Sequence, residues 1–283
     1  NLSLNRGEMH ALVGESGCGK SVTAMSIMRL LPKSAQIKSG EIIFNNENLL
    51  TYTDKQMRKI RGNQMSLIPQ DPMTSLNPLY TVGNQLIEAI RTHKSVSYKQ
   101  AMRKAKEVMD LVKIPDANTK LNFYPHEFSG GMKQRIIIAM ALSTNADLII
   151  ADEPTTALDV TIQKQIMDLV NEIKKEFGTT ILLISHDLAL VSNYADRISV
   201  MYSGHIVEQA NAAEFSNNPI HPYSNALLNS LPSVSPTMHL KTIEGAPPSI
   251  REDIKGCKFH PRCEFCNQTI CTKSNPELIQ KFP

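Results

Sequence analysis

Short apolar runs alternate with longer amphipathic stretches along most of this chain. Four runs have the length and the apolar character of buried strands, at 9–13, 147–151, 179–185 and 197–201. Residues 161–177 place Ile162 and Ile166 on one face at helical spacing, and Gly178 is a suitable helix stop. Strands that alternate with helices in this way predict an α/β fold with a largely parallel sheet.

Two segments stand outside this alternation. Residues 98–112 carry apolar residues at helical spacing with Lys and Arg on the other side, which predicts a helical insertion at about 79–145. After Pro219 prolines recur and four of the five cysteines cluster, which predicts an appended tail. We therefore expect two domains, at 1–218 and 219–283.

The composition indicates a globular protein and excludes several other classes. Of 283 residues, 41% are hydrophobic and 20% are charged, which is typical of a globular protein. The net charge of +3 is too small to argue for nucleic acid or an anionic membrane. The apolar runs are far shorter than the ~20 residues that span a bilayer. The chain begins without Met or a secretory signal, so we expect a fragment of a cytosolic protein that lacks its natural start.

The first chemical motif follows the first predicted strand. It fits the pattern G-x-x-x-x-G-K-[ST] in full, with Gly14, Glu15, Ser16, Gly17, Cys18, Gly19, Lys20 and Ser21. In such a loop backbone N–H groups surround phosphate oxygens, the Lys reaches the outer phosphates and the Ser hydroxyl ligates Mg²⁺. The motif predicts a nucleotide site, in which Cys18 is a small packed residue.

A second motif ends the predicted strand at 147–151. Asp152 and Glu153 come directly after it, at the end of the sheet where α/β proteins bind ligands. Beside a phosphate loop, Asp152 is expected to bind Mg²⁺ and Glu153 to polarise an attacking water. Taken alone, the pair could equally cap the next helix.

A third motif, Ser129-Gly130-Gly131, introduces the apolar helix predicted at 136–142. Two glycines at a helix start leave backbone N–H groups exposed to an anion. As an isolated string it is a weak signal, because Ser-Gly-Gly is also common in loops. Its position shortly before the acidic strand favours the functional interpretation.

The order of these motifs resembles the nucleotide-binding subunit of an ATP-binding cassette (ABC) transporter over residues 1–210. The ordered set comprises the phosphate loop, Gln70, Ser129–Gly131, Asp152–Glu153, Ala157-Leu158-Asp159 and His186. Strings at 70–78, 124–132 and 221–223 are similar to the oligopeptide/dipeptide importer subfamily, and nickel importers share much of this pattern. The implied fold is a P-loop NTPase of the ABC type with a helical subdomain and a Cys-containing tail.

The resemblance also implies roles for these residues. Gln70 would contact Mg²⁺ and the attacking water, Glu153 would be the general base, and His186 would contact the γ-phosphate. Ser129, Gly130 and Gly131 would close over ATP held by a second cassette, and Asp159 would help to join the two halves. The implied cofactors are ATP and Mg²⁺.

The implied partners are a related second ATPase subunit, two transmembrane permeases and an extracytoplasmic substrate-binding protein, at the cytoplasmic face of the membrane. Rival interpretations are a nickel or metal-chelate importer, a soluble cassette acting on nucleic acid and a metal-sensing regulator. Against the second, the chain shows no fused second cassette and no long coiled coil.

This sequence departs from the family pattern in two places. Met132 replaces the glutamine that most cassettes carry after the two glycines. The stretch that normally supplies an adenine-stacking aromatic residue before the phosphate loop is missing, so no such residue can be named.

The tail carries four cysteines within fifteen residues: Cys257, Cys263, Cys266 and Cys271. Four thiolates suit tetrahedral Zn²⁺ or an iron–sulfur cluster. The alternative is that the cysteines are free thiols that bind no metal. Similar tails occur in peptide-importer ATPases, some of which hold a [4Fe–4S] cluster. We therefore expect an iron–sulfur site here, with zinc as the alternative.

Overall fold

The computed structural model describes residues 1–156, 158–230, 243–248, 252 and 254–280. Ala157, the first residue of the predicted motif Ala157-Leu158-Asp159, lies outside the described residues. The chain divides into two compact units. The first unit comprises Asn1–Leu4, Met9–Ser21 and Ile184–Pro283, and the second comprises Asn5–Glu8 and Val22–Leu183.

The strands of the described chain are β1 (Met9–Val13), β2 (Ile43–Phe44), β3 (Glu47–Asn48), β4 (Met65–Ile68), β5 (Leu148–Asp152), β6 (Thr180–Ser185), β7 (Arg197–Tyr202) and β8 (His205–Asn211). The α-helices are α1 (Lys20–Ile27), α2 (Asp54–Ile60), α3 (Pro72–Ser75), α4 (Val82–His93), α5 (Tyr98–Leu111), α6 (Ala117–Lys120), α7 (Gly130–Leu142), α8 (Val160–Phe177), α9 (Leu188–Tyr194), α10 (Ala212–Asn217), α11 (Pro222–Asn229) and α12 (Gln268–Cys271). Short 3₁₀ helices lie at Leu49–Thr51, Pro125–Glu127 and His260–Arg262.

The four predicted strands are all present as β1, β5, β6 and β7, with ends that differ by at most one residue. The helix predicted at 161–177 is α8, and the one predicted at 98–112 is α5. Asp159 caps α8 by accepting a hydrogen bond from the N–H of Ile162, and Gly178 ends it with a left-handed φ of +63°. The alternation of strands and helices therefore predicted the α/β class correctly.

The first unit builds its part of the sheet around β1. This strand pairs in parallel with β7, and β7 pairs antiparallel with β8 through a bulge between Val200 and Met201. All five residues of β1 are buried. The phosphate loop follows Val13 directly, so its first residue leaves the carboxyl end of a fixed strand.

The second unit places β5 between β4 and β6. The β4 and β5 strands pair in parallel, with Met65 opposite Leu148 and Ile68 opposite Ala151. Every residue of β5 is buried, including Asp152 at its end. Helices α4 and α5 pack against each other, and both contact α7. The buried strand β5 therefore positions Asp152 and Glu153, and helices α4 and α5 position the start of α7.

Within the first unit, the tail packs through aromatic rings. Phe259 lies 5.2 Å from both Tyr202 and Tyr223, measured between ring centroids, and Tyr202 lies 4.6 Å from Tyr223. All three side chains are buried. Rings in tilted or edge-on contact at these separations are favourable beyond the area they bury.

No helix in the described ranges is long and apolar enough to cross a membrane.

The core strand β6 allows a direct test of the fold. Leu182 is fully buried, so Leu182→Ala should lower the free energy of unfolding by about 2–5 kcal/mol, through lost burial and the cavity it leaves. Val160 is 80% exposed, and Val160→Ala should change the free energy of unfolding by less than about 0.5 kcal/mol. Urea denaturation of both variants measures this difference. Equal values for the two would contradict the placement of β6 in the core.

Candidate functional site

The phosphate loop lies in the first unit, between β1 and α1. Gly17 and Gly19 have φ values of +81° and +111°, which glycine adopts without a steric penalty. Gly14 is required for a different reason, because a Cβ there would lie 2.2 Å from the backbone oxygen of Met201 on β7. The loop therefore lies in close contact with β7, and its conformation requires Gly14, Gly17 and Gly19.

Lys20 starts α1 and is almost completely buried. Its Nζ donates hydrogen bonds to the carbonyl oxygens of Gly14, at 2.8 Å, and Glu15, at 3.1 Å. Cys18 is also buried, and burial raises the pKa of its thiol, so it stays protonated at neutral pH. These contacts agree with the prediction that Cys18 is a packed residue.

Glu15 has partners that the sequence analysis did not identify. Its N–H donates to Tyr223 Oη at 2.9 Å, and its carboxylate accepts two hydrogen bonds from Arg262. Arg262 directly precedes Cys263 in the tail, where the sequence predicted a role only for the cysteines. No local pattern connects that arginine with a loop 247 residues earlier.

Gln70 and Glu153 come together in the second unit. Gln70 Nε2 donates to Glu153 Oε2 at 2.9 Å, and Thr156 Oγ1 donates to the same oxygen at 2.9 Å. Glu153 is 9% exposed and has a φ of +48°, a left-handed conformation that is unfavourable for a residue with a side chain. Two donors and a strained turn after β5 hold this carboxylate in one orientation.

Ser129, Gly130 and Gly131 begin α7, also in the second unit. Ser129 is the N-cap, and its hydroxyl accepts the N–H of Met132. A Cβ at Gly131 would lie 2.8 Å from Ile162 Cγ2, so glycine lets α7 approach α8 closely. The helix start opens onto a cavity of about 570 Å³ whose lining includes Asp159 and two cationic side chains, Lys113 and Arg135.

The remaining predicted residues lie at the ends of strands or in the phosphate loop. His186 is exposed and follows β6 directly. Asp152 is 4% exposed at the end of β5. Ser16 lies in the turn of the phosphate loop, and Ser21 lies in the first turn of α1.

Comparison with known proteins places these motifs in a family. Residues 1–156 match the family described as ABC transporter. The chain belongs to the ABC transporter family. Residues 207–271 of this ABC protein match the family described as Oligopeptide/dipeptide transporter, C-terminal region. The predicted membership, the P-loop NTPase fold of the ABC type and the coupling of ATP hydrolysis to transport are thereby confirmed, and this ABC protein uses ATP and Mg²⁺.

Similar proteins match this ABC protein along nearly its whole length. A probable peptide ABC transporter ATP-binding protein, y4tR of Sinorhizobium fredii, is 50% identical and matches 100% of this chain and 85% of its own. The oligopeptide transport ATP-binding protein OppD of Escherichia coli is 47% identical, over 98% of this chain and 82% of its own. The dipeptide transport ATP-binding protein DppD of Bacillus subtilis is 49% identical, over 98% and 83%.

Solved structures agree with this assignment. The dimeric ATP-binding cassette MJ0796, in a post-hydrolysis state bound to ADP and Pi, matches with a TM-score of 0.67 and 27% identity. The match covers 75% of this ABC protein and 88% of that cassette.

The structure does not support the predicted cluster at the four tail cysteines of this ABC protein. Among the residues that the structure describes, no three His, Cys, Asp or Glu side chains are arranged to hold a metal ion. All four thiols are free. Burial raises the pKa of the Cys263 thiol, a hydrogen bond with the Phe265 backbone lowers it, and the other three cysteines raise it again. The iron–sulfur prediction and its zinc alternative are therefore unsupported.

Proposed function

We propose that this ABC protein is the ATP-hydrolysing subunit that powers import of oligopeptides or dipeptides through partner permeases. The observation that carries the proposal is the Glu153 carboxylate, held by Gln70 and Thr156 at the end of β5. It occurs in a chain matched over 98–100% of its length by proteins named for peptide transport.

The phosphate loop supplies the binding half of the site. The N–H groups around Gly17 and Gly19 and the start of α1 bind phosphate oxygens, and Lys20 exchanges its loop carbonyls for the outer phosphates. Ser21, Gln70 and Asp152 offer oxygen atoms, and Mg²⁺ prefers such ligands, so these donors fit the metal. Ser21, Gln70 and Asp152 would hold Mg²⁺, which neutralises charge on the transferred phosphoryl group.

Glu153 supplies the hydrolytic step. Its carboxylate accepts a proton from the attacking water, and the oxygen of that water forms a bond to the γ-phosphorus as the bond to ADP breaks. Gln70 and Thr156 fix Oε2, so the carboxylate cannot rotate away from the water. His186, exposed after β6, contacts the γ-phosphate in this proposal.

Two cassettes complete each catalytic site. Ser129, Gly130 and Gly131 approach the ATP of a partner cassette, and the cavity beside them is lined by Arg135 and by Lys113, which pairs with Glu172 at 2.6 Å. The subfamily pattern favours a related second subunit over an identical copy. Asp159, which caps α8 near this cavity, helps to join the halves.

The surface after Gln70 connects the cassette to its permeases at the cytoplasmic face of the membrane. Met73 is 60% exposed and Leu79 is 79% exposed, so this segment offers apolar contacts to a membrane subunit. A substrate-binding protein outside the membrane delivers the peptide. In this proposal residues 1–218 form the ATPase, with a helical insertion at about 79–145, and 219–283 form the tail domain.

Reconstitution tests the proposed transport. The chain should co-purify with two integral membrane subunits and a second cassette, and their ATPase in proteoliposomes should rise several-fold with peptide-loaded binding protein. Nickel-loaded binding protein is the matched control. Stimulation by nickel but not peptide would establish the alternative metal importer, and recovery with nucleic acid in place of membrane subunits would contradict transport.

A further inference from the structure

We propose that the tail positions the phosphate loop, with Arg262 acting on ATP binding through Glu15. This inference rests on the proposed function, since it concerns the same nucleotide site. Arg262 ends the 3₁₀ helix His260–Arg262, and both it and Glu15 lie in the first unit.

The contact is a two-pronged ion pair. Arg262 Nη1 donates to Glu15 Oε2 at 2.8 Å, and Nη2 donates to Oε1 at 3.1 Å. The Arg262 side chain is only 6% exposed, so solvent weakens the attraction much less than at an open surface. Such paired geometry fixes the direction of the carboxylate as well as its position.

Every other donor of this guanidinium also has an acceptor. Nε donates to Glu244 O at 2.9 Å, Nη1 to Tyr202 Oη at 3.3 Å and Nη2 to Gly245 O at 3.1 Å. Together with the two bonds to Glu15, these use all five N–H groups of an arginine. Lysine has one nitrogen and could not reproduce this set, so the pocket is specific for arginine at this position.

The backbone of Glu15 is held by the same part of the tail. Its N–H donates to Tyr223 Oη at 2.9 Å, and Tyr223 packs against Phe259, three residues before Arg262. Burial raises the pKa of Tyr223, so its hydroxyl keeps its proton. Both ends of Glu15, amide and carboxylate, thus contact the region of the chain that follows residue 219.

These contacts affect the nucleotide site through Lys20. The carbonyl oxygen of Glu15 accepts a hydrogen bond from Lys20 Nζ at 3.1 Å, and Gly14, the preceding residue, accepts another at 2.8 Å. A shift of Glu15 therefore moves the loop carbonyls that orient the lysine and the amides that follow them. Glu15 serves as the link between tail and loop, and Arg262 is a positioning residue.

The test measures ATP affinity and turnover separately in the assembled transporter. Arg262→Gln and Glu15→Gln each remove the ion pair, and each should raise the Kd for a fluorescent ATP analogue with Mg²⁺ about 10-fold. The KM for ATP should rise in parallel, while kcat stays within about 3-fold because neither change touches Glu153. The double variant should be no weaker than about the worse single, because both changes break one interaction.

Arg103→Gln is the matched control, since Arg103 pairs with Glu107 at 3.7 Å on the exposed surface of α5. It should leave the Kd unchanged. An unchanged Kd in Arg262→Gln, or a double variant weakened by the product of the singles, would overturn the proposal. A purely structural role predicts a lower melting temperature without the split between KM and kcat.

If Arg262→Gln does not fold, Tyr223→Phe is the alternative variant, because it keeps the packing of the aromatic ring. Losing only the hydroxyl that accepts the Glu15 N–H should raise the Kd about 3-fold, and an unchanged value counts against the proposal. If the unaltered transporter fails to bind the ATP analogue, the proposed function fails instead.

Discussion

Glu153→Gln should leave ATP binding intact and lower kcat about 100- to 10,000-fold. The amide has almost the shape of the carboxylate but cannot accept a proton from water at neutral pH. Gln70 and Thr156 can still donate to the remaining carbonyl oxygen, so the surroundings should change little. Phosphate release from the assembled transporter, with the partner cassette also inactivated, measures the loss.

Glu176→Gln is the matched control for this substitution. Glu176 is exposed on α8, and the same loss of charge there should leave kcat unchanged. ATP binding should be equal in both variants. Hydrolysis at the unaltered rate in Glu153→Gln would show that another group activates the water.

The parts of the fold that the sequence predicted are those specified over short distances. The β1 strand and the loop after it combine a fully buried apolar run with a complete phosphate motif. The β5 strand is equally apolar, so its carboxyl end and the following Glu153 could be placed correctly. Each of these features depends on neighbours within about ten residues along the chain.

Of the four strands that were missed, β8 and β4 show why this local signal was lacking. The β8 strand, His205–Asn211, contains one buried residue and reads as a polar segment, since it forms the antiparallel edge beside β7. The β4 strand has only four residues. Pairing with a neighbouring strand, which the sequence does not display, decides the structure of both.

The contacts of the candidate site also separate into those that local sequence predicted and those that it did not. Resemblance to ABC transporters brought Gln70 and Glu153 to one site, but it did not predict that the Gln70 amide holds the carboxylate directly. The contact between Glu15 and Arg262 spans 247 residues and had no signal in either segment. The cysteines are the recognisable motif of the tail, whereas Arg262 makes the contact with the nucleotide loop.

Gly14→Ala should abolish measurable ATP binding, with a Kd raised at least about 100-fold. A Cβ at this position would lie 2.2 Å from Met201 O and 2.9 Å from Cys18 Sγ. The first of these atoms belongs to the backbone of β7, which pairs with β1 and cannot move aside, so the loop must shift instead. Equilibrium binding of the fluorescent ATP analogue measures the effect.

Gly178→Ala separates this steric effect from the cost of a positive φ. Gly178 has a φ of +63° at the end of α8, and a Cβ there would meet nothing within 4 Å. That variant should lose about 1 kcal/mol of stability and keep its affinity for ATP. If Gly14→Ala instead folds and binds ATP as well as Gly178→Ala does, the loop does not depend on its close approach to β7. The phosphate-binding geometry would then have to arise from the residues after Gly14 alone.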